Sequence, residues 1–460
     1  MLVLAFMGVF LIIMGTISSY VLEQSKYGRA LYAREQAFSI AESGIEYYRW
    51  FLAHNPSIMT SGSGLVSPYT YAVSDPEGGA VGSAAVTASA SLQCGVVQWV
   101  DLSSKGTASA GVGFPRTVQA RYMHPSVAEY AFLLNTGVWV GSGNVGAGPY
   151  FANGGIRSDG TNNSTVSSAV ATWQCDSSYG CSPTQTKPGV WGAGNNQSLW
   201  QYPVASIDFA GIAANLNTLK TYAQTSGLYF YDSGVSGYEW SGFHLKFKSN
   251  GTVDVSKVTS TTSLWGYHPD DQQWHTDYDI IASETTPINY NIPANCSLIY
   301  VQGTTWLEGT VSGKVTVLTA DPGSFSPDLL LMNNITYTIG DGTAGLTAIA
   351  EHSVRLPINT PDTLNIRGIF IAQSGYYGRD YHYPGFASGY DSYIIRSNLN
   401  VTGSIVSAAR PYVYWTDGNG NIISGYQNRT NTYDRILAFG PPPFTPAASS
   451  DYKIELWNEK

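Results

Sequence analysis

The chain has little charge. Asp, Glu, Lys and Arg make up 12% of its 460 residues, and the net balance is −9. A nucleic-acid binder needs a basic face, so nucleic acid is excluded as a partner. The mild acidity leaves a soluble surface. Cysteine is scarce, with four in all, and none has the spacing of a zinc site. No Gly-Lys-Ser/Thr phosphate loop, dinucleotide fingerprint, Gly-x-Ser-x-Gly elbow or His-Glu-x-x-His is present. No catalytic residue, metal ligand or cofactor is therefore expected. What is plentiful is Gly (49), Tyr (32) and Trp (12), alongside many Ser and Thr, a composition suited to an exported β-rich protein.

Two local absences say more. Residues 1–22 contain no charged side chain, and no proline occurs before Pro56. Twenty-two mostly apolar residues span about 33 Å as a helix, enough to cross a bilayer. With no proline to stop it, the helix is expected to continue to His54, a rod about 80 Å long. Leu2, Leu4, Phe6, Val9, Phe10, Ile12, Ile13, Ile17 and Val21 form its apolar half. Gly8 and Gly15 are the expected points of bending. In the second half Ala30, Ala33, Ala37, Ala41, Gly44, Ile45, Tyr48 and Leu52 recur at three- and four-residue steps. They make a face of small and apolar groups that a sheet can approach closely.

The run from Arg34 to Glu46, REQAFSIAESGIE, resembles the corresponding segment of type IV pilin-like proteins of the PilX-type group. The resemblance is strong over the first 55 residues and weaker to about 125. Beyond that, only the general pattern, including Pro441-Pro442-Pro443 and the segment to Trp457, resembles large PilX-like proteins of the Patescibacteria. It implies a helix held first in the cytoplasmic membrane and later packed in the core of an extracellular filament. Two features depart from the family. Most pilins carry Glu at the fifth mature position, where this chain has Ala5, and no leader segment is present, which fits a processed or a trimmed chain.

The expected class is α+β: a long N-terminal helix with a small antiparallel sheet, followed by a large β-rich region. Four segments are expected: the helix (1–54), a pilin-like β domain (55–125), an outward-facing β-rich domain (126–410) and a C-terminal hairpin and tail (411–460). In the second, runs at 68–73, 80–88, 95–102 and 117–122 read as strands, with a turn at Asp75-Pro76-Glu77-Gly78-Gly79. In the third, short apolar strands at 298–301, 313–318, 329–332, 346–350, 364–372 and 399–406 point to a β-helix or similar solenoid. A β-sandwich competes, because the spacing is irregular. Residues 165–290 read as an inserted subdomain holding one helix, 209–225, capped by Ser206 or Asp208. Cys175 and Cys181 close a short loop and are expected to form a disulfide. Cys94 and Cys296 pair only if the fold brings them together.

Three stretches carry candidate chemistry. Asp417-Gly418-Asn419-Gly420-Asn421 resembles half a calcium loop, but Ile422 and Asn428 stand where such a loop needs Gly and Glu, so a hairpin turn is expected. His268, Asp270, Asp271, His275 and Asp277 are a dense set of metal or acid–base groups, read as a solvated loop. Arg379, Asp380 and His382 sit among Tyr376, Tyr377, Tyr381 and Tyr383, a pattern that suits sugar stacking but is read as loop packing or a subunit contact. Eight Asn-x-Ser/Thr sites, at Asn162, Asn163, Asn196, Asn250, Asn295, Asn334, Asn400 and Asn428, are candidate glycosylation sites.

The expected function is a non-enzymatic subunit of an extracellular type IV pilus-like filament, anchored in the inner membrane before assembly. Its expected partners are other copies of itself through the N-terminal helices, the membrane, the pilus assembly machinery, and surface glycans or another cell. The rival readings are a membrane-anchored β-solenoid enzyme acting on polysaccharide and a glycan-binding tip adhesin.

Overall fold

The computed structural model describes residues 2–109, 114–212, 215–322, 325–385, 387, 389–417 and 419–460. The chain divides into two compact units, one running to Met123 and including Tyr452–Lys460, the other His124–Asp451.

In the first unit a single helix, α1 (Leu2–His54), runs unbroken through Gly8 and Gly15. It stops before Pro56, which cannot continue it, and Asn55 Nδ2 donates to the Phe51 carbonyl at 2.8 Å. The sheet is antiparallel and comprises β1 (Tyr69–Ser74), β2 (Ala80–Gln93), β3 (Val96–Ala108), β4 (Arg116–Met123) and β5 (Lys453–Glu459), in that spatial order. The strands overrun the alternating sequence patterns at both β2 and β3. The 75–79 turn closes with Asp75 N–H donating to the Gly79 carbonyl at 2.9 Å.

The buried face of α1 is Ala33, Ala37, Ile40, Ala41, Gly44, Ile45, Tyr48 and Leu52, with Ala30 half-buried. Ile40 is the addition to the expected face. Burying a residue such as Ile45 or Leu52 contributes about 1.5–3 kcal/mol. The small residues set the helix–sheet distance. A Cβ on Gly106 would lie 2.0 Å from the Ala37 carbonyl oxygen and 2.5 Å from the Ala41 nitrogen. One on Gly44 would lie 2.3 Å from Ser104 Oγ. At the deeper end, Tyr48 donates its hydroxyl to the Val66 carbonyl at 2.6 Å.

Residues 411–460, expected to act as one hairpin and tail, are divided between the units. Strand β5 pairs with β4 and ties back through Arg116–Glu459, Phe38 against Trp457 and Tyr122 stacked on Tyr452. The hairpin Tyr414–Thr416 with Ile422–Thr432 belongs to the second unit.

The second unit is built on parallel ladders rather than the antiparallel pairs a sandwich would use. One ladder joins ten strands, and one in-register column runs along it: Leu228, Ile299, Val317, Ala348, Phe370, Ile405, Phe132, Tyr150, Val166 and Trp200, all buried except the half-buried Leu228, Phe132 and Trp200. Each member between the two ends has a neighbour above and below, so the core is the sum of stacked contacts. The strands Thr304–Val311, Leu329–Tyr337, Val354–Arg355 and Tyr377–Gly378 make a second face in the same sense.

Residues 165–290 are not a separate insertion. Val166–Ser168, Trp200–Gln201 and Leu228–Phe230 are members of the ten-strand ladder, and Gly242–Phe247 pairs in parallel with Thr304–Val311. Among the described residues, the hairpins Thr172–Cys175 with Gln185–Pro188 and Thr252–His268 with Gln273–Glu284 depart from the parallel ladders. The expected helix at 209–225 is two helices, Phe209–Ile212 and Leu216–Thr225. Asn215 caps the second by accepting from Thr218 N–H at 3.0 Å.

Replacing Gly106 with alanine forces the sheet away from the helix backbone and is expected to destabilise the first unit by about 1–3 kcal/mol. Gly28→Ala, where a Cβ meets nothing within 4 Å, is expected to be neutral or stabilising by up to about 1 kcal/mol. Denaturant unfolding of the detergent-solubilised chain checks both; equal behaviour of the two variants refutes the close-approach account.

Candidate functional site

Two regions stand out, one apolar and one polar. The apolar one is the first half of α1. Leu2, Leu4, Phe6, Val9, Phe10, Ile12, Ile13, Ile17 and Val21 are all exposed, from 48% at Ile13 to 76% at Leu2. The segment is long and apolar enough to cross a membrane. An apolar surface this large on a monomer marks a contact with lipid or protein.

The polar region is a pocket of about 440 Å³ in the second unit. The hairpin Thr252–His268 and Gln273–Glu284 supplies one wall. Strand alternation puts Asp277 and Asp279 on the same face, both buried. The facing wall comes from the ladder: Asp328 precedes Leu329–Tyr337, Arg355 ends Val354–Arg355, and Asp380 follows Tyr377–Gly378. Arg355 is in register with Leu330 and Gly378, so Asp328 lies two residues before its level on one neighbouring strand and Asp380 two residues after it on the other, and the long Arg355 side chain reaches both. Backbone hydrogen bonds between Tyr267 and Tyr381, at 2.9 and 3.2 Å, tie the hairpin to this wall. Trp306, wholly buried, donates its indole N–H to the Asp279 carbonyl at 2.7 Å and fixes that stretch of strand.

Arg355 is the centre. Its Nη2 donates to Asp277 Oδ1 at 2.7 Å and its Nε to Asp380 Oδ2 at 2.9 Å. Nη1 reaches Asp279 Oδ1 at 3.1 Å and Asp328 Oδ2 at 3.2 Å. Around this cation, His268 Nε2 bonds Asp277 Oδ1, and Tyr376 donates its hydroxyl to Asp380. His352 Nδ1 bonds Asp328 Oδ1 at 2.8 Å, and its Nε2 lies 3.4 Å from Asp270. His268, Asp277 and Asp380 are close enough together to hold a metal ion, but the guanidinium already occupies that place and supplies the positive charge.

The shared charge separates the protonation states. Burial pushes the Asp279 carboxyl up; Arg355 opposes this, while the negative charges of Asp277, Asp380 and Asp328 reinforce it, and the result is about 8. Burial also acts on Asp328, but His352 and Arg355 outweigh it and hold that carboxyl below its ordinary value. Burial is likewise outweighed at Asp277, by Arg355 and His268. The bond to His352 brings Asp270 down to about 2. Burial disfavours the charged imidazoles, yet Asp277 and Asp380 hold His268 up at about 9, and Asp270 and Asp328 hold His352 at about 10. His382 is lowered, chiefly by burial. At neutral pH the pocket thus contains a neutral carboxylic acid among carboxylates and cations.

The structure joins two of the sequence candidates. The 268–277 set is not a solvated loop throughout: Asp271 and His275 pair at the exposed end of the hairpin, while Asp277 is only 2% exposed. Asp380 and His382 come from the tyrosine-rich stretch and meet it there. Arg379 is not part of the cluster; it is buried, donating to the Ile358 carbonyl at 2.9 Å. Tyr376 and Tyr377 are buried, so they offer no stacking surface. No local motif marks Arg355, Asp279, Asp328 or His352. The one available signal is the Asp277–Asp279 alternation, which puts two carboxylates on one face of a strand.

The Asp417–Asn421 stretch is a hairpin turn, with Asp417 Oδ1 accepting from Asn419 N–H at 2.8 Å and Asn421 N–H at 2.9 Å; Gly418 lies outside the described residues. Cys175 and Cys181 are disulfide-bonded. Of the glycosylation candidates, Asn162 is buried and closed to modification in the folded chain. Asn334, Asn400 and Asn428 spend side-chain groups on hydrogen bonds to Asn365, Asn365 and Asn398 of adjacent strands. Asn163, Asn196, Asn250 and Asn295 are exposed, although the side chains of Asn163, Asn196 and Asn250 make hydrogen bonds to the backbone of Gly148, Asn162 and Thr252.

No family model and no curated protein matches the chain. Among solved structures, the competence-associated pilin ComZ from Thermus thermophilus is similar at 12% identity and a TM-score of 0.32, over 93% of this chain and 97% of that one. A superposition that loose establishes no common fold, and nothing below rests on it.

Removing Arg355 leaves Asp277 and Asp380 buried without their cation, and Arg355→Leu is expected to cost about 3–5 kcal/mol. Asp279, His268 and His352 hold their protons more tightly folded than unfolded. Their stabilisation is complete below the unfolded values and is lost as pH rises through about 8, 9 and 10. Asp270, Asp277 and Asp328 are lowered, so their stabilisation is lost as pH falls below about 4. The thermal unfolding midpoint of the second unit is expected to be highest near about pH 4–6 and to decline toward pH 10. Asp279→Asn should flatten the decline below about pH 8. A midpoint independent of pH between these limits refutes the assignment.

Proposed function

We propose that the chain is a structural subunit of an extracellular type IV pilus-like filament of the PilX-type group. The observation that carries the reading is the division of one helix. From Ala33 onward α1 is buried against its own sheet, while its first half is exposed on every side. Such a half-helix can be covered by lipid before assembly and by the same half of neighbouring copies afterwards. Apolar contact replaces apolar contact, so little is lost in the exchange. In this reading the inner membrane and the assembly machinery are the first partners, and other copies of the chain are the final ones. The second unit, a β-solenoid of parallel ladders, faces outward for adhesion or cell-surface contact.

The chain in this reading is not an enzyme. The rival is a membrane-anchored solenoid enzyme, for which acidic groups of the pocket would have to flank a scissile bond. Arg355 Nη1 stands between Asp279 and Asp328, in contact with both. An anchored enzyme also has no use for the small-residue face continuing directly from the apolar segment.

Electron microscopy of shed material, with mass spectrometry of the fibres, tests the proposal. The chain is expected to be present along the fibre shaft. Ile13→Asp places a carboxylate in the apolar half, which costs about 2.5–3.5 kcal/mol at the centre of a membrane helix, and is expected to abolish fibres while leaving the second unit folded. Fibres of undiminished number from that variant would sink the filament reading.

A further inference from the structure

The filament reading does not use a set of four polar side chains where the helix Leu216–Thr225 meets the ten-strand ladder. Lys220, half-buried on that helix, donates from Nζ to Gln302 Oε1 at 2.7 Å, across 82 residues of sequence. Among the described residues no carboxylate pairs with this lysine; its hydrogen bond goes to a neutral carboxamide. Gln302 follows the strand Leu298–Val301, and its backbone N–H donates to the Phe230 carbonyl at 2.9 Å, so the ladder fixes its position. The same Oε1 accepts from the Tyr229 hydroxyl at 2.7 Å. On the other side of the carboxamide, Gln302 Nε2 donates to Asp321 Oδ1 at 2.8 Å. Asp321 follows the neighbouring strand Lys314–Thr319 and is only 3% exposed. Aromatic rings flank the group: Lys220 Nζ lies 5.7 Å from the Tyr229 ring centroid, and Tyr229 lies 5.9 Å from the wholly buried Tyr300.

We propose that Lys220 and Gln302 join in an intramolecular isopeptide bond, which the folded chain forms by itself. Amines attack carboxamides very slowly in water, and here the fold holds the two in contact, which raises their effective concentration. Lys220 Nζ is the nucleophile and Gln302 Cδ the carbon attacked. Tyr229 donates to Oε1, where negative charge develops as the carbon becomes tetrahedral. Asp321 touches Nε2, the nitrogen that leaves, and is the carboxyl placed to relay a proton to it. The bond formed is Nζ–Cδ and the bond broken is Cδ–Nε2. The Lys220 ammonium gives up two protons in becoming an amide N–H, and the leaving nitrogen takes up two and departs as an ammonium ion. Atoms and charge balance with no oxidant, cofactor or co-reactant. The reaction occurs once per chain, so it is a self-modification and not turnover. The link closes a long loop of the unfolded chain and fastens the helix to the ladder.

The test is peptide mapping by mass spectrometry of the full chain, kept folded in detergent for days at about pH 7 and about pH 9, since amines attack unprotonated. The peptides that hold Lys220 and Gln302 are expected to be found joined, lighter than their sum by one ammonia. Lys220→Arg keeps a donor to Gln302 without the nucleophile; it is expected to give the two peptides apart and to lower the thermal midpoint of the second unit by several degrees. Asp321→Ala is expected to slow the joining at least about tenfold. Separate peptides of unaltered mass from the parent chain at both pH values overturn the bond. Equal joining in a chain held unfolded in urea, or joining at the parental rate in Asp321→Ala, overturns the assigned geometry. None of these results touches the filament reading, which rests on α1.

Discussion

One half of one helix has no partner within its own chain, and much of the molecule follows from that. A helix satisfies its backbone hydrogen bonds internally, so it can move from lipid to protein without exposing a polar group. That requires continuity, and α1 is continuous from Leu2 to His54. The other half is held firmly by its own sheet. The grip is steric as well as apolar. At Gly106 and Gly44 the sheet comes so near that a methyl group would collide with helix backbone in one case and with Ser104 in the other. Close approach of this kind maximises dispersion contact over a narrow face. It leaves the helix little freedom to slide or rotate against β3.

The second unit solves its burial problem by stacking, and the stacking creates the charged corner. Parallel in-register strands place equivalent positions one above another. Apolar residues then form the inner column, and polar residues at a turn form a file of charges. Asp328, Arg355 and Asp380 gather at such a turn, each displaced by two residues from the level of the last, with the Arg355 side chain bridging the offset. Of the four carboxyls round Arg355, Asp279 is raised furthest, by burial and by the negative charges of Asp277, Asp380 and Asp328, while His268 and His352 help to hold Asp277 and Asp328 ionised. A buried network of this sort is weak evidence for stability. It does fix the hairpin of 252–284 on the ladder in one place, because each of its carboxyls has an assigned contact.

The helix and its packing face were legible from spacing alone. A period of three to four with small residues states both the secondary structure and the distance of the neighbour, which is why Ala33 to Leu52 emerged with only Ile40 added. The short apolar strands were legible as strands, and their repetition pointed to stacking. The threading was not. Residues 165–290 contain two-residue strands such as Trp200–Gln201, too short to show any period, and they take their place by pairing with distant segments. The pocket was legible only in fragments. Its lining is drawn from separate stretches between Glu239 and Tyr376, and nothing in the sequence around Arg355 marks it as their shared partner. Contacts set by register between distant strands leave no local trace. The break in the 209–225 helix was missed because Asn215, a good cap, sits inside a helical period.

The order of strands in the ladders bears on how the chain can fold. Phe132–Leu134 is the first strand of the ten-strand ladder to be synthesised, yet one of its partners is Ile395–Ser407, some 260 residues later. The first unit has the same arrangement: β4 is complete early, but its outer edge is covered by β5 at Lys453–Glu459. An exposed edge strand is a template for wrong pairing. The chain therefore carries two such edges through most of its synthesis, and neither closes until the C-terminal third has emerged. Local stacking between 298 and 407 involves short separations and can form first. It then presents the edge that Phe132–Leu134 needs. Closing both units with late strands makes correct completion of each depend on the far end of the chain, so a truncated product would retain an open edge in the very sheet that grips α1.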